Sequence, residues 1–384
     1  MRFLHTSDWH LGRQFHQVSL LDDQRHVINE IFDIISREKV DVILIAGDIY
    51  DRSVPPADAV ALLDEVIDHI CHELKIPVIL IAGNHDSGRR LGFGSRQFAK
   101  SGVHILGRLS QILEPVVLND AHGEVAFYGI PYADPASIRD AFSEDVHSHE
   151  AAMQLLTTQI SQHNETDRRC VVLSHCFIDG GLESDSERPL SVGGADRVPF
   201  DLFSDFHYTA LGHLHGPQFK GQENIRYSGS ILKYSFSEAN QKKSVTIVDM
   251  DKNGRCEVKK IPLKPLKNMR IVEGCLDEIL LTAKHDPNAN DYILVRLMDT
   301  HALYEPMARL RVVYPNILQL EKPNLNQGGE RQILKRENLK KGEMPMFLDF
   351  FQQMTDQQLD DKASKIVAGI LDKIHQGNDD EVGE

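Results

Sequence analysis

The sequence predicts an α/β fold: two packed mixed β-sheets flanked by helices, followed by a smaller α/β cap domain and a C-terminal helical hairpin. Three observations lead there. Five short apolar runs in the first 215 residues each stop at Asp, Asn or His. Stretches of helical length separate the early ones, and a second series of strand-like runs follows before Pro265. At 384 residues the chain exceeds one typical domain, so a core of about 250 residues with a smaller C-terminal region is expected.

Taken in order, the runs are Phe3-Leu4 before Asp8, Val42 to Ala46 before Asp48, Val78 to Ala82 before Asn84, Val171 to Leu173 before His175, and Thr209 to Leu211 before His213. Gln24 to Glu38, and Ala57 to Glu73 after Pro55-Pro56, have helical patterning. This β-α-β alternation implies helices layered over buried strands. Ligands in such folds gather at the carboxyl ends of strands, where all five runs place their polar residues. Glu124 to Tyr128, Ile225 to Ser228, and the pair Ser244 to Met250 and Cys256 to Leu263 read as further strands, the pair joined by the turn Asp251-Lys252-Asn253-Gly254. They are expected to form the second sheet. The domain boundaries that follow are 1–263 for the main domain and 264–322 for the cap, which alternates strand (Met269 to Val272), helix (Leu276 to Lys284), strand (Tyr292 to Leu297), helix (Glu305 to Val313) and strand (Ile317 to Leu320). Residues 323–343, with Gly328-Gly329 and a Lys/Arg excess, read as a flexible linker. Two amphipathic segments, Met346 to Met354 and Gln357 to Ile374, make 344–376 a helical segment too small to bury its own apolar face, hence one that docks. Residues 377–384 read as a disordered acidic tail.

Composition narrows the function. No apolar run approaches the roughly 20 residues that span a bilayer, and the N-terminus lacks a signal-peptide pattern, so no membrane association and a cytoplasmic location are expected. Five scattered cysteines without a C-x-x-C pair suit free thiols in a reducing compartment. A net charge of -15 argues against a chain that grips nucleic acid by itself, because phosphate binding normally needs a basic face.

The chemistry lies in five blocks: Asp8-Trp9-His10, Gly47-Asp48-Ile49-Tyr50-Asp51, Gly83-Asn84-His85-Asp86, Ser174-His175 and Gly212-His213-Leu214-His215. In an extended segment residues two apart face one side, so Asp8 with His10, and His213 with His215, can chelate together. Glycines at 47, 83 and 212 allow tight turns and close approach. Two carboxylates, one amide and four imidazoles are too many donors for one tetrahedral ion and suit two ions sharing a carboxylate; without thiolates they do not select among Mn²⁺, Fe²⁺ and Zn²⁺. A metal pair lowers the pKa of a water between the ions and clamps phosphoryl oxygens. His5, His16, His26, His69 and His72 carry no such pattern. The stretch 179–198 joins two of the blocks and is expected to pass over the site.

These blocks, in this order, resemble the calcineurin-like metallophosphoesterase superfamily. The chain as a whole resembles its SbcD branch, the nuclease subunits of bacterial SbcCD-type complexes. The likeness is strongest over 1–263 and includes Thr6-Ser7-Asp8-Trp9-His10-Leu11-Gly12, Ala46-Gly47-Asp48-Ile49-Tyr50-Asp51, Ala82-Gly83-Asn84-His85-Asp86-Ser87 and Leu211-Gly212-His213-Leu214-His215. The resemblance implies that Asp8, His10, Asp48 and His215 hold one metal, most readily Mn²⁺, and that Asp48, Asn84, His175 and His213 hold the other. His85 matches the family's catalytic histidine, and Asp51 stands where a carboxylate orients it. The resemblance also implies a DNA nuclease with 3′-to-5′ exonuclease and endonuclease activity on ends and hairpins, DNA as substrate, a homodimer joined near Ala57 to Glu73, and an SbcC-type ATPase partner bound through 344–376. ATP would act through that partner, since the chain has no G-x-x-x-x-G-K-[ST] loop. Two readings stand beside the nuclease: a phosphatase or cyclic-nucleotide phosphodiesterase using the same metals on a small ester, and a scaffold that has lost catalysis. The complete ligand set argues against the scaffold, and the extra C-terminal region argues against the small-ester enzyme.

Overall fold

A computed structural model describes residues 1–164, 168–188, 190, 196–325, 343–355 and 358–379. The chain divides into two units, Met1–Asn268 and Met269–Glu384.

In the first unit the all-buried runs Val42–Ile45 and Val78–Ile81 lie in the middle of a six-stranded sheet. Arg2–Thr6, Val42–Ile45, Val78–Ile81 and Val103–Leu106 run parallel. Strands apolar on both faces need cover on both faces. One cover comes from helices such as Leu21–Glu38, which buries Val27, Ile28, Ile31, Ile34 and Ile35 along one stripe and stops where Lys39 turns left-handed at φ 54°. The other cover is a second six-stranded sheet. Its parallel members are Gln222–Tyr227, Tyr208–Gly212, Arg169–His175 and Gly123–Ile130, with antiparallel edges at Gln218–Lys220 and Val116–Asp120. Phe3, Val42, Leu44, Ile79 and Ile81 from one sheet share a core with Val125, Phe127, Val171, Leu173 and Tyr208 from the other. Phe3 packs edge-on against Tyr208 at 5.1 Å between ring centroids. Each such buried side chain contributes about 1.5–3 kcal/mol relative to exposure. The helix His149–His163 covers the outer face of the second sheet through Ala152, Met153, Leu156 and Ile160.

The hairpin Ser244–Met250 and Cys256–Pro262 departs from expectation. It extends the first sheet, pairing antiparallel with Arg2–Thr6, rather than joining the second. A strand's own residues determine that it pairs, but which free edge it reaches depends on chain far away. The turn itself is the expected one: Asp251 Oδ1 accepts the amides of Asn253 and Arg255, both at 2.8 Å, and Gly254 takes φ 82°.

The second unit has three parallel strands, Met269–Gly274, Tyr292–Leu297 and Ile317–Glu321, with the helices Leu276–Ala283 and Pro306–Val313. Its core gathers Leu276, Ile279, Ile293, Val295, Leu297, Leu310 and Tyr314. Two further helices, Glu343–Thr355 and Asp361–Asp379, follow. The second starts later than the apolar pattern suggests because Asp360 Oδ1 accepts the Ala363 amide at 2.6 Å and caps it. Of the expected linker, residues 326–342 lie outside the described residues; of the expected tail, 380–384 do, while 377–379 continue the helix. No helix among the described residues is long and apolar enough to cross a membrane.

Candidate metal centre

The carboxyl ends of the parallel strands of both sheets meet at one buried cluster. The loops after Arg2–Thr6 and Val42–Ile45 are laced together by their main chains: the Asp8 amide donates to Gly47 O at 3.0 Å, His10 to Asp48 O at 3.0 Å and Leu11 to Ile49 O at 2.9 Å. This lacing holds Asp8, His10 and Asp48 in left-handed conformations (φ 53°, 46° and 51°), and His213 is also positive at 108°. Asp8 and His10 therefore converge, but through strained backbone rather than the extended segment their spacing suggests. Positive φ at non-glycine residues costs on the order of 1 kcal/mol or more each and persists where surrounding structure enforces it. Glycine is required beside them. A Cβ on Gly212 would run into Ala46 O, and one on Gly83 into the Asp48 carboxylate.

Asp8, His10, Asp48, His175, His213 and His215 are buried, whereas Asn84 and His85 lie at the partly exposed rim. Asp48 Oδ2 stands 3.6 Å from His10 Nε2 and 3.5 Å from His175 Nε2. Asn84 Oδ1 is 3.0 Å from His175 Nε2 and 3.3 Å from His213 Nδ1. His175 Nδ1 donates to Ala46 O at 2.8 Å, which turns Nε2 toward the cluster. Asp8, His10 and His215 form one grouping of donor atoms and Asp8, Asp48 and His175 another. Asp8 belongs to both, and Asp48 reaches a histidine of each.

His85 donates its main-chain amide to Asp48 Oδ1 at 2.8 Å, and its Nδ1 lies 2.7 Å from the main-chain oxygen of Asp51. The contact from Asp51 to His85 is thus its carbonyl. Its carboxylate turns to Arg13 Nη1 at 3.0 Å and stands 3.9 Å from His10 Nδ1.

The electrostatics show a site with too much negative and basic character for its own protons. Burial pushes the Asp8 carboxyl up to about 6, against the pull of His175 and His215. Burial opposes charge on His175, yet Asp48 and Asp8 together raise it to about 9, and the same pairing holds Asp48 below the usual carboxylate range against its own burial. Burial and then His175 lower His213 to about 3. Burial also lowers His10, whose Nδ1 has no hydrogen-bond partner among the described residues. His10 Nε2 and His215 Nε2 face each other at 3.1 Å. Imidazole nitrogens this close together, beside two carboxylates, form an oxygen- and nitrogen-rich cradle that fits divalent cations.

Several supporting residues carry no sequence signal of their own. Asp86 accepts the amides of Ile49, Tyr50 and Gly83 at 3.0, 3.0 and 2.9 Å, tying the Asp48 loop to the Asn84 loop; only its place beside Asn84-His85 hints at this. Gln24, in sequence an ordinary helix residue, donates to Trp9 O and His10 O and accepts from the Gly12 amide. His5, by contrast, is a satisfied core histidine, with its nitrogens at 3.0 Å from Tyr208 Oη and 3.1 Å from Leu211 O. The stretch 179–198 reaches the site through Ser186 and Glu187: Ser186 Oγ lies 2.6 Å from His215 Nδ1, and Glu187 accepts the His215 amide at 2.8 Å. Residues 189 and 191–195 of that stretch lie outside the described residues.

Residues 1–217 match the calcineurin-like phosphoesterase family, and residues 265–355 match the family described as type 5 capsule protein repressor C-terminal domain. The chain is 35% identical to the SbcD subunit of the SbcCD nuclease of Staphylococcus epidermidis, over 97% of this chain and 100% of that one. Among solved structures it is similar to a dimetal phosphatase from Danio rerio (11% identity, 69% of this chain and 99% of that chain, TM-score 0.40) and to a protein from Thermus thermophilus (11% identity, 67% and 98%, TM-score 0.37). With the phosphoesterase model covering more than half its length and the nuclease subunit aligned end to end, the chain belongs to the SbcD family of calcineurin-like, metal-dependent phosphoesterases.

Proposed function

We propose that the protein is the two-metal DNA nuclease of an SbcCD-type complex, acting as a 3′-to-5′ exonuclease on double-stranded ends and as an endonuclease on hairpins. The observation that carries the reading is the meeting of Asp8, His10, Asp48, Asn84, His175, His213 and His215 around one carboxylate, from strand ends of both sheets. In this reading Asp8, His10, Asp48 and His215 hold one ion and Asp48, Asn84, His175 and His213 the other. Mn²⁺ is the first choice, with Fe²⁺ and Zn²⁺ as alternatives. When bound, the ions supply Lewis acidity toward the phosphate and make a water acidic enough to attack. The protein's share is positional. Asp86 and Gln24 fix the ligand loops, and His175 presents Nε2 because Nδ1 is spent on Ala46 O. His85, at the rim, donates Nδ1–H to Asp51 O, which aims Nε2 outward, where in the imidazolium form it donates toward the phosphate or the leaving oxygen.

The same reading assigns partners. The helix Asp361–Asp379 exposes Ile366 and Ile370, four residues apart, an apolar stripe that supports docking of 344–376 on an SbcC-type ATPase in the cytoplasm. Exposed Val54, Val60 and Phe93 around the helix Ala57–Asp68 support a homodimer there. The deciding experiment compares Mn²⁺-dependent turnover of a hairpin DNA with that of nucleoside monophosphates and cyclic nucleotides, with and without the ATPase partner. Cleavage of DNA is expected to dominate; preference for the small esters would overturn the assignment.

A further inference from the structure

The geometry points to a buried relay, Ser186–Glu238–Lys243, that positions His215 and so tunes one of the two metal positions independently of the other. The inference rests on the two-cation reading above. Ser186 Oγ lies 2.6 Å from His215 Nδ1 and donates its own proton to Glu238 Oε1, so it accepts the Nδ1–H of His215. That fixes the tautomer and leaves His215 Nε2 as the lone pair facing His10 and Asp8. Glu238 is anchored in turn by the Tyr234 amide at 3.2 Å, Ser235 Oγ at 3.0 Å and Lys243 Nζ at 2.5 Å. Lys243 shares its remaining N–H groups among His215 O, Ser230 Oγ and Gln241 Oε1, all within 2.8 Å.

Two features argue that this relay serves the metal centre rather than the fold. First, Glu238 and Lys243 are 0% and 6% exposed, and a buried ion pair is poor value for stability, since well-packed apolar residues of the same size commonly do as well or better. Second, the support is unequal across the ligand histidines. His175 Nδ1 rests on a neutral main-chain carbonyl, and His10 Nδ1 has no hydrogen bond among the described residues. His215 is tied through a hydroxyl to a carboxylate, which itself stands 3.6 Å away. A carboxylate behind an imidazole strengthens the opposite nitrogen as a donor, so the position served by Asp8, His10 and His215 should hold its ion more tightly than the position served by His175 and His213.

Ser186→Ala breaks the relay while leaving the Glu238–Lys243 pair in place. The test titrates the metal-free full-length protein with Mn²⁺ by calorimetry and by electron paramagnetic resonance, alongside its melting temperature without metal. The parent should bind two Mn²⁺ per chain. Ser186→Ala should melt as the parent does and lose about tenfold or more in affinity at one position, with the other within about twofold; Ser186→Thr, which keeps the hydroxyl, should restore it. Should the alanine variant fold poorly, Glu238→Gln with Lys243→Met, which removes both charges together, should give the same selective loss. Unchanged binding, or an equal fall at both positions, overturns the relay. A parent that binds fewer than two Mn²⁺ overturns the two-cation reading beneath it, and the two failures are distinguishable.

Discussion

The strand Arg169–His175 begins in an ion pair and ends in the metal centre, and its two ends treat charge in opposite ways. At the start, buried Arg169 reaches Asp120 through two bonds of 2.6 and 2.9 Å and adds Gly123 O and Asp251 O. The strand Arg2–Thr6 begins in a more exposed version of the same pairing: Arg2 reaches Asp249 at 2.7 and 3.0 Å and donates to Glu38 O, and a few residues later the chain arrives at Asp8. At the carboxyl ends the polar groups crowd one another instead, with burial raising Asp8, imidazole nitrogens opposed at 3.1 Å and backbone held in left-handed strain. Saturated charges stabilise a fold, whereas charges left competing for too few partners store a capacity to bind something from outside. The difference should be visible as a division of labour among substitutions.

The largest effect is expected at Asp48, whose carboxylate faces histidines of both groupings. Asp48→Ala should abolish detectable cleavage and reduce bound Mn²⁺ below two per chain, read by metal analysis after gel filtration; a variant that kept two ions would break the assignment of Asp48 as the shared ligand. Next comes His85, which touches Asp48 and Asp51 through its own backbone and ring but sits at the rim. His85→Ala should lower kcat by about 10²- to 10⁴-fold, the usual range for a lost proton donor, while both ions remain. Normal cleavage by that variant would remove His85 from the chemistry.

How much of this the sequence discloses follows the range of the interactions involved. The runs Val42 to Ala46 and Val78 to Ala82 are strands because they are apolar on both faces, a local property, and the residues that end them reach the site because parallel strands share a carboxyl edge. The ligand candidates can therefore be read directly. Edge strands such as Val103–Leu106 and Val116–Asp120 cannot, since the half-buried His104 interrupts the apolar run of one and the other alternates burial with exposure beside a loop. The left-handed backbone at Asp8 and Asp48 is illegible too, because it is imposed by a loop some 40 residues away in sequence. Glu238 and Lys243 lie in a stretch without periodicity, and only the fold brings them behind His215.

Gly212 lies where the two sheets touch at their functional edge, and Gly212→Ala is the third substitution in order of expected effect. Its Cβ would meet Ala46 O, a main-chain atom that cannot swing aside, and would press on His175 Nδ1. Overpacking of this kind costs about 1–3 kcal/mol, and here it falls at the rigid end of that range. Urea unfolding of the metal-free variant should show the loss, and weakened Mn²⁺ binding should accompany it because His175 depends on Ala46 O for its orientation. Full stability with weakened metal binding would show that the sheets can separate slightly at this edge at no cost to the core.

The smallest effect belongs to the saturated end and should vary with pH. Arg169, by its hydrogen bonds first, holds the Asp120 carboxyl well below the usual carboxylate range. A group whose folded pKa is depressed contributes stability fully above its unfolded value of about 3.9, and that contribution fades as pH falls toward the folded value. Asp120 is 14% exposed, so solvent screens it little. Asp120→Asn should cost about 2 kcal/mol at pH 7, since it leaves a buried guanidinium short of its counter-charge, and the gap between parent and variant should narrow on acidification below about pH 4. Urea midpoints at pH 7 and at about pH 2.5 measure it, the acid point being placed below the unfolded carboxylate range. A gap of equal size at both would mean that shape and neutral hydrogen bonds, not charge, hold this end of the strands, and the contrast between the two ends would then rest on packing.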